Sequence, residues 1–68
     1  MAMQYVPKTQ AVIEIMQRTG VGRFVVERQM NRMEEAGHIR FVDDPRDIRK
    51  KLISREHLEE IIRALTPA

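Results

Sequence analysis

The sequence predicts a single small α+β domain, with three helices, a β-hairpin and a short N-terminal lead-in. Three observations predict it. Apolar residues recur at helical spacing in three separate stretches. A run of turn formers, Asp43-Asp44-Pro45-Arg46-Asp47, divides two β-forming stretches. Gly20, Gly37 and Ser54 stand where helices would stop or start. The 68 residues allow one domain, spanning 1–68, and no second. A chain of this size buries only about 60% of the surface its unfolded form exposes, which leaves no room for a rigid-walled enzyme cleft.

Each element follows in order. Tyr5-Val6-Pro7-Lys8 is short and extended, either an edge strand or simply a lead-in, because Pro7 biases Val6 towards β geometry. Thr9 reads as the N-cap of a first helix. Val12, Ile13, Ile15 and Met16 follow at helical spacing, and Gly20 suits a left-handed C-cap. A second helix should begin near Gly22-Arg23 and end at Gly37, with Val26, Met30 and Met33 as its inner stripe. The connection from Thr19 to Gly22 is so short that the second helix must turn sharply against the first. Ile39 to Phe41 and Leu52-Ile53 read as the strands of a hairpin with a long charged tip. Ser54 caps a last helix with Glu56 in its first turn, Leu58, Ile61, Ile62 and Leu65 as its stripe, and Thr66-Pro67 at its end.

Composition narrows the function classes. The chain has no Cys, so disulfides, thiolate zinc sites and a cysteine nucleophile are excluded. His38 and His57 stand alone, without a second His at ligand spacing, so no metal and no cofactor is expected. Glu34-Glu35 and Glu59-Glu60 are adjacent pairs, which do not face each other on a helix. No nucleophile–base pair or phosphate loop is present, so no catalytic residue is assigned and an enzyme is not expected. No apolar run approaches a membrane span. Met1-Ala2-Met3-Gln4-Tyr5 lacks the basic start and apolar stretch of a secretory leader. A cytoplasmic, nucleoid-associated location is therefore expected.

The stretch from Gly20 to Asn31 resembles the turn and recognition helix of a helix-turn-helix. Gly20 would supply the positive φ of the turn, Val21 would plug the angle between helices, and Val26 and Met30 would pack inward. The opposite face carries Arg23, Glu27, Arg28, Asn31 and Arg32, side chains suited to base edges and phosphates, and Gly22 at the helix start joins them as a contact residue. Phe24 has two readings: a cap on the core, which is preferred, or an apolar contact offered to a thymine methyl or a partner protein. Gln29 and Met16 depart from the usual pattern.

The segment from Glu34 to Ser54 is similar to the wing of MarR-type winged-helix regulators. Asp44, Pro45, Asp47 and Arg49 stand in the matching places. The resemblance implies that Arg49 reaches into the minor groove and Asp47 orients it, with Arg40, Arg46, Lys50 and Lys51 alongside. Ile48 departs from the basic residue often found there. MarR regulators, however, carry a helix before the helix-turn-helix, and eight residues cannot supply one. A lead-in, two helices, a wing and then Ile53-Ser54-Arg55-Glu56-His57-Leu58-Glu59-Glu60-Ile61-Ile62 resembles the MerR-like and phage excisionase type of winged helix.

Charge by segment agrees. Residues 18–32 carry Arg18, Arg23, Arg28 and Arg32 against Glu27, a net +3. Residues 40–55 carry Arg40, Arg46, Arg49, Lys50, Lys51 and Arg55 against three Asp, again +3, and the remainder is −4. The expected function is sequence-specific binding of double-stranded DNA by a small regulator or excisionase-like factor of phage or mobile-element type. The recognition helix, about 22–36, would enter the major groove, and the wing, about 40–53, would lie on the backbone and minor groove. Homodimerisation or a cooperative array on DNA would supply useful specificity. The alternative is a winged helix that docks onto a protein, with the acids Glu56, Glu59 and Glu60 of the last helix as its surface.

Overall fold

A computed structural model describes residues 4–66 of the chain. Pro67 and part of the leader segment Met1–Tyr5 lie outside the described residues. The elements run β1 (Tyr5–Pro7), α1 (Lys8–Thr19), α2 (Arg23–Glu35), β2 (Phe41–Asp44), β3 (Asp47–Ser54) and α3 (Arg55–Leu65). The three strands form one antiparallel sheet in the order β1-β3-β2. Three helices, a tight turn between the first two, and a hairpin before the third make this a small α+β winged-helix arrangement.

Local chemistry sets most boundaries. Gly20 terminates α1 at φ 73°, the left-handed conformation that an L side chain resists. Thr19 reinforces this end: its hydroxyl donates to the Ile15 carbonyl at 2.7 Å and accepts from the Val21 amide at 3.2 Å. Gly37, at φ 80°, closes α2. The Gly37 amide donates to the Glu34 carbonyl and the His38 amide to the Met33 carbonyl, the paired bonds of a Schellman motif. Ser54 caps α3, its hydroxyl accepting from the His57 amide at 3.2 Å.

Three expectations are corrected. Thr9 does not cap α1; the helix begins at Lys8, with Pro7 in the cap position and no side-chain cap bond. The reason is that β1 stays paired with β3 through Pro7↔Leu52, and the fixed φ of proline then delivers the chain straight into the helix. Ile39 is not a strand residue; β2 starts at Phe41, and Ile39 is buried in the core just beyond the cap of α2. The wing tip is also tighter than expected. Asp44 faces Asp47 across Pro45-Arg46, and the spare length lies within β3. Asp43 pairs with Lys51, so Ile48, Arg49 and Lys50 bulge between two paired positions with no counterpart on β2.

One core joins all three helices to the sheet. Ala11, Val12 and Ile15 of α1, Val26, Met30 and Met33 of α2, Ile39, Ile53 of β3, and Leu58, Ile61 and Ile62 of α3 form a single buried cluster. Val6, Met16, Val21, Phe41 and Leu65 pack around it. Ile53 is fully buried on the central strand, opposite both Val6 and Phe41. Replacing Ile53 by Ala is expected to cost about 2–5 kcal/mol, a large fraction of the stability of so small a domain. Gly20→Ala should cost about 1–2 kcal/mol through backbone strain alone, since nothing lies within 4 Å of the added methyl. Urea denaturation followed by circular dichroism measures both, and a Gly20→Ala variant of unchanged midpoint would contradict the assigned cap geometry.

Candidate nucleic-acid interface

Two elements carry the expected contact residues. On α2 the buried stripe Val26, Met30 and Met33 forces the opposite face outward. Arg23, Phe24, Arg28, Asn31 and Arg32 are exposed there, Glu27 is half-buried and Gly22 is an exposed N-cap. Arg23 reaches Glu27 one turn on, at 3.7 Å. A shallow groove of about 400 Å³ runs along this face, lined by Phe24, Glu27, Arg28 and Asn31.

Phe24 corrects the preferred reading of it as a core cap. It is 79% exposed, the most exposed of the large apolar side chains. At about 100° per residue it lies roughly 160° around the helix from Val26, on the outer face, so the helical period itself carried this signal.

The wing presents Arg40, Arg46, Arg49, Lys50 and Lys51 as exposed cations. Arg49 and Asp47 form a local clamp. The Arg49 backbone amide donates to Asp47 Oδ1 at 3.0 Å, its Nε to the same oxygen at 3.2 Å, and Nη2 to Oδ2 at 3.4 Å. The guanidinium is nevertheless 87% exposed, so the clamp aims it without burying it. Hydrogen bonds from the Arg49 side chain, then from its amide, hold the Asp47 carboxyl below the usual aspartate range. The Arg46 amide donates to Asp44 Oδ1 at 2.9 Å, which sets the turn. Lys51 pairs with Asp43 across the hairpin. The Arg40 amide donates to His57 Nδ1 at 3.1 Å and ties the wing base to α3.

Two basic residues counted in the charge footprint face elsewhere. Arg18 pairs with Glu14 and, through both terminal nitrogens, with Glu59. The hydrogen bond from Arg18 pulls the Glu59 carboxyl below its ordinary range. Arg55 also pairs with Glu14. These bonds fasten α1 to α3, and the partners lie 41 residues apart in sequence, so segment charge could not register them. The remaining cations divide clearly. Lys8, Arg28, Arg32, Arg40, Arg46 and Lys50 have no acidic partner among the described residues, and all but Lys8, at the start of α1, lie on α2 or the segment 40–50.

Sequence reasoning missed one flank of the wing. A groove of about 520 Å³ runs between the wing and the start of α1, with Pro7, Lys8, Thr9 and Gln10 on one side and Arg49, Lys50, Lys51 and the acid Asp44 on the other. The signal was the lead-in strand, whose pairing with β3 brings Lys8 beside the wing. The Lys8 ammonium sits 4.8 Å from the centre of the Phe41 ring. Among the described residues no group of three or more His, Asp or Glu could hold a metal ion, and no helix is long and apolar enough to cross a membrane.

Compared with known proteins, the chain matches no family model, no curated protein and no solved structure.

The clamp makes a pH prediction. Because folding lowers the Asp47 pKa, the clamp is complete above the ordinary aspartate value of about 3.9 and is lost as pH falls through the depressed value. A carboxyl-detected NMR titration should place the Asp47 midpoint below the ordinary range, and Arg49→Ala should raise it only part of the way back, because the backbone amide at position 49 still donates to Asp47. An Asp47 midpoint unmoved by that substitution would show that Arg49 does not hold it.

Proposed function

We propose that this chain is a small double-stranded DNA-binding protein. The recognition helix α2 would lie in the major groove, and the wing formed by β2 and β3 would follow the backbone and minor groove. The observation that carries the reading is the placement of unpaired cations. The acids of this protein pair with Arg18, Arg55 and Arg63 away from this face and with Arg23, Arg49 and Lys51 on it, whereas Arg28, Arg32, Arg40, Arg46 and Lys50 remain open to an external anion. Arg28 and Asn31 supply donors suited to guanine and adenine edges, and Arg49 is held in an extended, exposed pose by Asp47. Lys8 and Lys50 flank a groove with the character of a phosphate seat.

The arrangement fits a MerR-like or excisionase-type regulator working on the nucleoid, with no catalysis of its own. A single module of this size covers a modest DNA interface, about 600–1,000 Å². A second copy or a cooperative array would therefore be needed for tight, selective binding. The protein-docking reading has less support: of the three acids on α3, Glu59 is tied to Arg18 and Glu60 to Arg63.

The test is a gel shift against a random duplex pool at two salt concentrations. Binding should weaken steeply with salt and enrich a motif. Lys50→Ala should reduce the slope of log affinity against log salt by about 0.9, the signature of one lost phosphate contact, with sequence preference unchanged. Arg28→Ala should cost about 1–3 kcal/mol on the selected site and relax preference at one base pair. Binding left intact by Arg28→Ala, Arg49→Ala and Lys50→Ala together would sink the proposal.

A further inference from the structure

Resting on the DNA-binding reading, we propose that Phe24 is a specificity-determining residue that recognises the 5-methyl group of a thymine in the major groove.

The argument starts from burial. A phenylalanine left 79% exposed on a 68-residue protein forgoes a large hydrophobic gain. Its neighbours on the groove of α2 are Glu27, Arg28 and Asn31. These four positions are spaced i, i+3, i+4 and i+7, so they form one continuous stripe along the outer face of the helix. The stripe is flanked by Arg32, which has no acidic partner among the described residues, and by Arg23, which reaches Glu27 at 3.7 Å; both guanidinium groups stand where phosphates border a groove. The occupant this surface fits is therefore anionic at its edges and apolar at the point facing Phe24. A duplex major groove meets both conditions only at thymine, whose methyl is the one apolar group presented there.

The spacing also gives a register. Seven residues of helix separate Phe24 from Asn31, about 10 Å along the axis. That distance is about three base-pair steps of 3.4 Å. Asn31 matches the donor and acceptor pattern of adenine. The preferred site should then contain a thymine read by Phe24 and an adenine read by Asn31 about three base pairs away, with Arg28 on a guanine between them.

The experiment uses a duplex selected from a random pool by the wild-type protein. Replacing its thymine by deoxyuridine removes only the methyl. Wild type should lose about fourfold in affinity, the worth of one buried methyl group. Phe24→Ala should bind the thymine duplex more weakly and show no difference between thymine and deoxyuridine. Asn31→Ala should keep the methyl effect and lose preference at the adenine. Phe24 is exposed, so its Ala variant should keep the thermal midpoint of the wild type, and a circular dichroism melt checks this. Equal wild-type affinity for every deoxyuridine duplex, or a methyl effect that survives in Phe24→Ala, overturns the assignment while leaving DNA binding intact. A pool that enriches no motif and shows no salt-dependent binding overturns both readings.

Discussion

The rest of the structure depends on β3 serving as the central strand, with Ile53 as its anchor. Its C-terminal half pairs with β1 on one side and β2 on the other, and Ile53 faces Val6 and Phe41 while its side chain enters the core. Its N-terminal half leaves the body of the protein as the wing. One strand of eight residues therefore connects the buried cluster to the exposed contact surface. Without the β1 and β2 pairings, the wing would be an isolated hairpin, which is marginal in water. The same pairing seats Ser54 at the start of α3, where the Arg55 amide donates to the Gln4 carbonyl at 2.8 Å. Strand, wing and last helix are thus positioned by one shared ladder.

Charge within this fold is divided by distance rather than by amount. Glu14 and Glu59 take Arg18 and Arg55 into contacts between α1 and α3, where a thin core leaves the helix edges open to water. Exposed pairs of this kind contribute little stability each, of order 0–1 kcal/mol. Their larger effect is on the outside of the molecule: each of these cations is cancelled by an acid beside it, α2 is itself balanced by Glu27, Glu34 and Glu35 against its three Arg, and the excess of two positive charges lies on the wing segment 40–51. A protein that is nearly neutral overall is thereby polarised, and such a potential steers association with a polyanion.

The features legible in the sequence are those set within one turn of chain. Gly20 and Gly37 end their helices because each needs a positive φ that few other residues adopt, and Ser54 caps α3 through an amide three residues ahead. The apolar stripes of α2 and α3 were readable because helical period decides which side faces inward, whereas in α1 Ile13, read into the stripe with Val12 and Ile15, is 48% exposed and its place is taken by Ala11. What escaped depended on partners far away. The bulge at Ile48, Arg49 and Lys50 exists because β3 must pair with β2 at Lys51 and again at Asp47, a constraint of cross-strand register. Lys8 joins the wing groove only through the β1–β3 pairing. Phe24 differs: its outward position followed from the helical period, and the misreading came from weighing residue type above angle.

Phe24 and Ile48 together show where this fold departs from maximal burial. They are 79% and 78% exposed, one on the outer face of α2 and one on the wing bulge, and each stands among cations. Phe24 cannot be recruited into the core without cost, since turning it inward would turn Val26 and Met30 outward. Phe24 is therefore fixed in place by the same stripe that builds the core, and the outer face of α2 inherits its geometry from the packing. In this chain the outer face of α2 is the necessary complement of the buried one, because one helical period sets both.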